Sequence, residues 1–65
     1  MELRDIRYIK AIAEERSFTL AAQKLYVSQP TLSMCVQRLE KELNTKLFIR
    51  ERNKLALTPT GQMFL

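Results

Sequence analysis

The sequence predicts a mainly α fold: three packed helices, a short two-stranded hairpin and the start of a further helix. Three observations predict it. Apolar residues recur at helical spacing in three segments, 3–15, 18–25 and 29–43. Residues that start or stop helices divide those segments: Ser17 and Thr19, then Ser28 ahead of Pro30, then Asn44. Finally, KLFIR and LALT flank the corner ERNK, as two strands of a hairpin do.

The first segment carries Ile6, Ile9, Ile12 and Ala13 on one side, flanked by Leu3 and Tyr8, with Arg4, Arg7, Lys10 and Glu14 opposite. It reads as an amphipathic helix laid over a core, a scaffold rather than a phosphate-binding element. Ser17 and Thr19 are both plausible caps for the second helix. Phe18 is expected to plug the core, and Ala21, Ala22 and Leu25 to form that helix's inner side. In the third helix Leu32, Val36, Leu39 and Leu43 make an inward stripe.

Between the second and third helices lies the informative corner. Ala22 is small enough to let two helix backbones approach, while Val27 and Leu32 close the wedge between them. Ser28 is placed to accept a bond from an orphan N–H of the third helix. Pro30 falls in that helix's first turn, where a missing N–H costs little. Together these features describe a helix-turn-helix, whose second helix reads the DNA major groove. The corner position most often held by Gly is Tyr26 here. A left-handed backbone there costs Tyr26 roughly 1–2 kcal/mol; either the packing absorbs it or the corner is wider than usual.

Gln29, Pro30, Thr31, Ser33 and Met34 then face outward near the helix start, with Gln37 and Arg38 one turn on. Short polar side chains suit hydrogen bonds to base edges, and an apolar methyl can meet the thymine methyl. Met34 reads either as a tolerated surface residue or as a base contact. Cys35 reads as a small, partly buried hydrophobe rather than a redox centre. Arg38 and Glu42 form an i, i+4 pair that supports the helix weakly.

After Asn44, an expected left-handed helix terminator, Leu47, Phe48 and Ile49 are expected on one side of the hairpin, with Leu55 and Leu57 on the other. Asn53 is the residue best able to take positive φ at the tip. This hairpin would be a wing beside the third helix, with Arg50, Arg52 and Lys54 reaching phosphates or the minor groove. Thr58-Pro59 is a cap followed by an N1 proline. The helix it starts runs into Met63, Phe64 and Leu65, and is expected to be the first part of a longer one.

Composition narrows the function classes. The chain has 65 residues, one cysteine, one glycine and no histidine. An internal disulfide is excluded, no zinc-type ligand spacing exists, and neither a nucleophile–base pair nor a Gly-rich phosphate loop is present, so no enzyme and no cofactor are expected. A domain this short buries only about 60% of its unfolded surface, so stabilisation from a partner subunit or from further chain is expected. MELRDIRYIK is charged throughout, unlike a secretory signal. No apolar run approaches a membrane span. A soluble cytoplasmic protein with no membrane partner is expected. The net charge of +4 is unevenly spread. Residues 1–28 hold five basic and four acidic side chains, a net of +1, and residues 29–65 hold six and three, a net of +3. The excess gathers in Lys46, Arg50, Arg52 and Lys54, a phosphate-binding candidate because it follows the third helix.

With those residues laid out, the chain resembles the amino-terminal domain of the LysR-type transcriptional regulators along essentially its whole length. The motifs that carry the resemblance are AIAEERSFTLAAQKLYVSQPTLS, QRLEKELNTKLFIR and LTPTGQMFL. The resemblance implies a winged helix-turn-helix over residues 1–58. It also implies that residues 59–65 begin a linker helix that dimerises, with an effector-binding domain beyond it. Its implied partners are double-stranded promoter or operator DNA, bound by a homodimer or dimer of dimers, and a small-molecule effector held by that further domain. Its contacts fall on Gln29, Pro30, Thr31, Ser33 and Met34, then on Arg50 and Arg52. The family usually has Gly where Arg16 and Asn44 stand, and a basic or polar residue where Met34 stands. Met34 then implies weaker hydrogen-bond readout and more reliance on thymine methyls or DNA shape. The competing class, a winged-helix protein-interaction module that never touches DNA, fits poorly with the acid-free start of the third helix and the basic hairpin.

Overall fold

The computed structural model describes residues 1–52 and 54–64. In chain order it contains α1 (Leu3–Glu15), α2 (Phe18–Leu25), α3 (Gln29–Leu43), β1 (Phe48–Glu51), β2 (Lys54–Leu57) and α4 (Pro59–Gln62). The three helices start and stop where the sequence places them, because each boundary is set by local chemistry. The Ser17 hydroxyl accepts from the backbone N–H of Leu20 at 3.1 Å and starts α2. The Ser28 hydroxyl accepts from Thr31 N–H at 3.2 Å and starts α3, with Pro30 in the first turn. At the other ends Arg16, Tyr26 and Asn44 all adopt the left-handed conformation, with φ of 54°, 59° and 54°. Each bends the chain back and lets its N–H reach a carbonyl of the last helical turn.

Ile9 and Ile12 of α1, Ala21 and Ala22 of α2, and Leu32, Val36 and Leu39 of α3 make one buried cluster, which Leu47, Phe48 and Leu55 close from the hairpin side. Phe18 packs against this cluster, its ring edge-on to Phe48 with centroids 5.9 Å apart. The inward stripe of α3 ends one turn earlier than the sequence suggests: Leu43 is 37% exposed. Asn44 reverses the chain directly after it, so that last turn is only partly covered.

β1 and β2 pair antiparallel, in the register Phe48↔Leu57, Ile49↔Ala56, Arg50↔Leu55 and Glu51↔Lys54. A strand alternates faces, so Phe48 and Ile49 cannot both point inward. Phe48 is buried and Ile49 is 40% exposed, which corrects the expectation that Leu47, Phe48 and Ile49 share one side. At the tip Arg52 takes positive φ, 51°; Asn53, expected to do so, lies outside the described residues.

The base of the hairpin is tied at several points. Thr58 Oγ1 donates to Lys46 O at 2.6 Å and accepts from Gly61 N–H at 3.1 Å, capping α4. A Cβ on Gly61 would lie 2.5 Å from the Leu47 carbonyl oxygen, so only glycine allows α4 to sit this close. Among the described residues no helix is long and apolar enough to cross a membrane.

Candidate nucleic-acid interface

The first turn of α3 stands clear of the core. Gln29, Pro30 and Thr31 are exposed, Ser33 is half-buried and Met34 is 68% exposed. Leu32 and Val36, fully inside, fix which face they leave outside. Two short hydrogen bonds organise the exposed groups. Ser28 Oγ donates to Thr31 Oγ1 at 2.8 Å, and Gln29 Nε2 donates to Ser33 Oγ at 2.8 Å. The turn carries no acidic side chain. Its polar side chains are therefore pre-arranged and open to an anion, and among the described residues they bond only within Ser28–Ser33.

Arg38, expected among the outward contacts, has a second occupation. Its Nη2 lies 3.1 Å from Asp5 Oδ1 and its Nη1 3.3 Å from Glu42 Oε2. Asp5 is buried at the start of α1. Its carboxylate also accepts from the Glu2 N–H at 2.9 Å and from the Cys35 thiol at 3.4 Å. Burial alone would raise the Asp5 pKa, but these hydrogen bonds and the charges of Arg38 and Arg4 outweigh it and hold the carboxyl below its ordinary value. The Cys35 thiol is pushed up, by burial first and by Asp5 second, which keeps it protonated and unreactive.

A second acidic anchor joins α3 to the hairpin. Glu40 Oε2 accepts from the N–H groups of Leu47 at 2.8 Å and Phe48 at 3.4 Å, and Oε1 lies 3.8 Å from Lys46 Nζ. This sets β1 against the flank of α3. Gln29, Ser33 and Gln37 consequently line one groove of about 400 Å³ together with Lys46 and Arg50. The two predicted contact regions, helix start and wing, meet there. Arg52 and Lys54 do not join them. They line a separate cleft of about 580 Å³ with Arg16, at the C-terminal end of α1.

The sequence reading missed Asp5, Glu40 and Arg16. A signal existed for the first two. Asp5 precedes Ile9 by four residues, and Glu40 follows Val36 by four, so each lies on the inward stripe of its helix.

A sequence profile described as "Bacterial regulatory helix-turn-helix protein, lysR family" matches residues 3–62. The chain belongs to that lysR family. It is 46% identical, over 65 residues, to the Hca operon transcriptional activator HcaR of Escherichia coli, covering all of this chain and 22% of HcaR. To a probable RuBisCO transcriptional regulator of Phaeodactylum tricornutum it is 49% identical over 63 residues, 97% of this chain and 20% of that one. The chain thus spans about a fifth of the length of these curated lysR-family relatives. Among solved structures, a BenM DBD/catB site 1 DNA complex superposes with a TM-score of 0.90 at 48% identity, covering 98% of this chain and 71% of that one; BenM is an HTH-type transcriptional regulator of Acinetobacter baylyi. The lysR-family fold is therefore the winged helix-turn-helix expected from the sequence.

Proposed function

We propose that this chain is the sequence-specific DNA-binding part of a LysR-type transcription regulator. The first turn of α3 enters the major groove, and the hairpin lies as a wing on the backbone and the adjacent minor groove. The observation that carries this reading is that Gln29 and Ser33, of the acid-free first part of α3, share one groove with the Lys46 and Arg50 cations. Gln29, Thr31 and Ser33 offer hydrogen bonds to base edges, Pro30 and Met34 offer apolar contact to a thymine methyl, and Arg50, Arg52 and Lys54 neutralise phosphates. Arg38, held by Asp5 and Glu42, acts chiefly by keeping α3 in place.

In this reading residues 1–58 are the DNA-binding unit, and residues from Pro59 onward begin a linker helix that pairs two subunits. A homodimer, or a dimer of dimers, then binds a partly palindromic promoter site in the cytoplasm, and a small-molecule effector acts through a further domain. The role is that of a binding protein, not an enzyme. The likeness to a DBD/DNA complex supports this reading, as does the regulator role named for the relatives. Selection of bound fragments from random duplexes tests it. A recurring half-site is expected, with its preference altered by Gln29→Ala; recovery of fragments without any shared sequence would overturn base reading.

A further inference from the structure

Tyr26 closes α2 with a side chain that this backbone position does not favour. It sits in the left-handed region, φ 59° and ψ 38°, which costs every residue with a Cβ and suits glycine. Its ring is 95% exposed, so no packing into the core offsets that cost. Arg16, Asn44 and Arg52 share the conformation; Asn belongs to the residue types enriched there, a bulky aromatic does not. The conformation itself closes α2, but the choice of tyrosine over glycine at that position has no return in the core, which points toward function.

Its place in the chain says which function. Tyr26 is two residues before Ser28, the cap of α3. Resting on the reading that the first turn of α3 enters the major groove, the chain leading into that turn crosses the groove's rim, and the rim is sugar-phosphate backbone. We propose that Tyr26 is a DNA-backbone contact, its phenolic hydroxyl donating a hydrogen bond to a phosphate oxygen at the edge of the major groove. Such a contact sets how deeply the helix tip seats, and it reads no sequence. Being neutral, it displaces no counterion, which separates it from the Arg and Lys contacts of the wing.

The test uses Tyr26→Phe and Tyr26→Gly, with unfolding midpoints and duplex affinity measured across a range of salt. Tyr26→Phe keeps the ring and removes the donor. It is expected to leave stability unchanged and to weaken operator and random duplexes alike, roughly three- to tenfold, the loss of one hydrogen bond, at an unchanged salt slope. Tyr26→Gly relieves the backbone and is expected to raise the unfolding midpoint while binding at least as weakly as Tyr26→Phe. Wild-type affinity in both variants overturns the contact but leaves the DNA-binding reading intact. Weakening by Gly but not by Phe overturns the hydroxyl donor. If wild type binds no duplex at any salt, the DNA-binding reading falls and this contact falls with it.

Discussion

The two ends of α3 are built for opposite purposes. Among the described residues, the polar side chains of Gln29, Thr31 and Ser33 bond only to one another and to the neighbouring Ser28. From Cys35 to Glu42 the same helix is tethered in two directions, by Cys35 and Arg38 to Asp5 of α1 and by Glu40 to the backbone of Leu47 and Phe48. A rod that must offer its tip to a partner cannot also use that tip to hold itself in place. Orientation is therefore fixed from the far end, by polar anchors on the helix flanks and by Leu32, Val36 and Leu39 beneath. In the proposed reading the tip meets DNA, and the tethers explain why it stays aimed.

Several substitutions can break that contrast. Leu39→Ala, in the tethered half, should be the most damaging, at about 2–5 kcal/mol for a buried leucine, enough to unfold much of so small a domain in a urea titration. Asp5→Asn should cost less, about 1–3 kcal/mol for a buried acceptor no longer matched to its charged partner. Its pH signature is specific. Because the folded Asp5 pKa lies below the unfolded one, its stabilising contribution is complete above the unfolded value of about 3.9 and fades as pH falls through the folded value. Wild type should therefore lose more stability than Asp5→Asn in acid unfolding below about pH 4; parallel acid curves would remove Asp5 as an anchor. Met34→Ala, in the free half, should shift stability least, within about 0.5 kcal/mol, and register instead as a changed preference among thymine-containing sites.

The halves also differed in how legible they were. The free half and all three helix boundaries could be read from sequence, because Ser28, Pro30, Tyr26 and Asn44 act on their immediate neighbours. The tethers could not be read so directly, since each joins residues far apart in the chain: Asp5 with Arg38, Glu40 with Leu47. Asp5 and Glu40 lie on inward stripes whose apolar residues carry the stronger sequence signal. The apolar run Leu47–Ile49 suggests one side by composition, but the two-residue period of a strand turns Ile49 outward. The hairpin cations looked like one patch, yet the fold puts Arg50 on the α3 groove and Arg52 and Lys54 on the cleft beside Arg16. Only the register and the Glu40 anchor decide that division.

The central claim is that the free turn and its neighbouring cations grip a polyanion. The most direct measurement is affinity for a duplex as salt is raised, for wild type and for Arg50→Ala. The account predicts a straight log–log fall with a slope of about −0.9 per neutralised phosphate, and a slope flatter by about one unit in Arg50→Ala, with both proteins equally folded. A wild-type affinity that ignores salt, or a slope that Arg50→Ala leaves untouched, would contradict it.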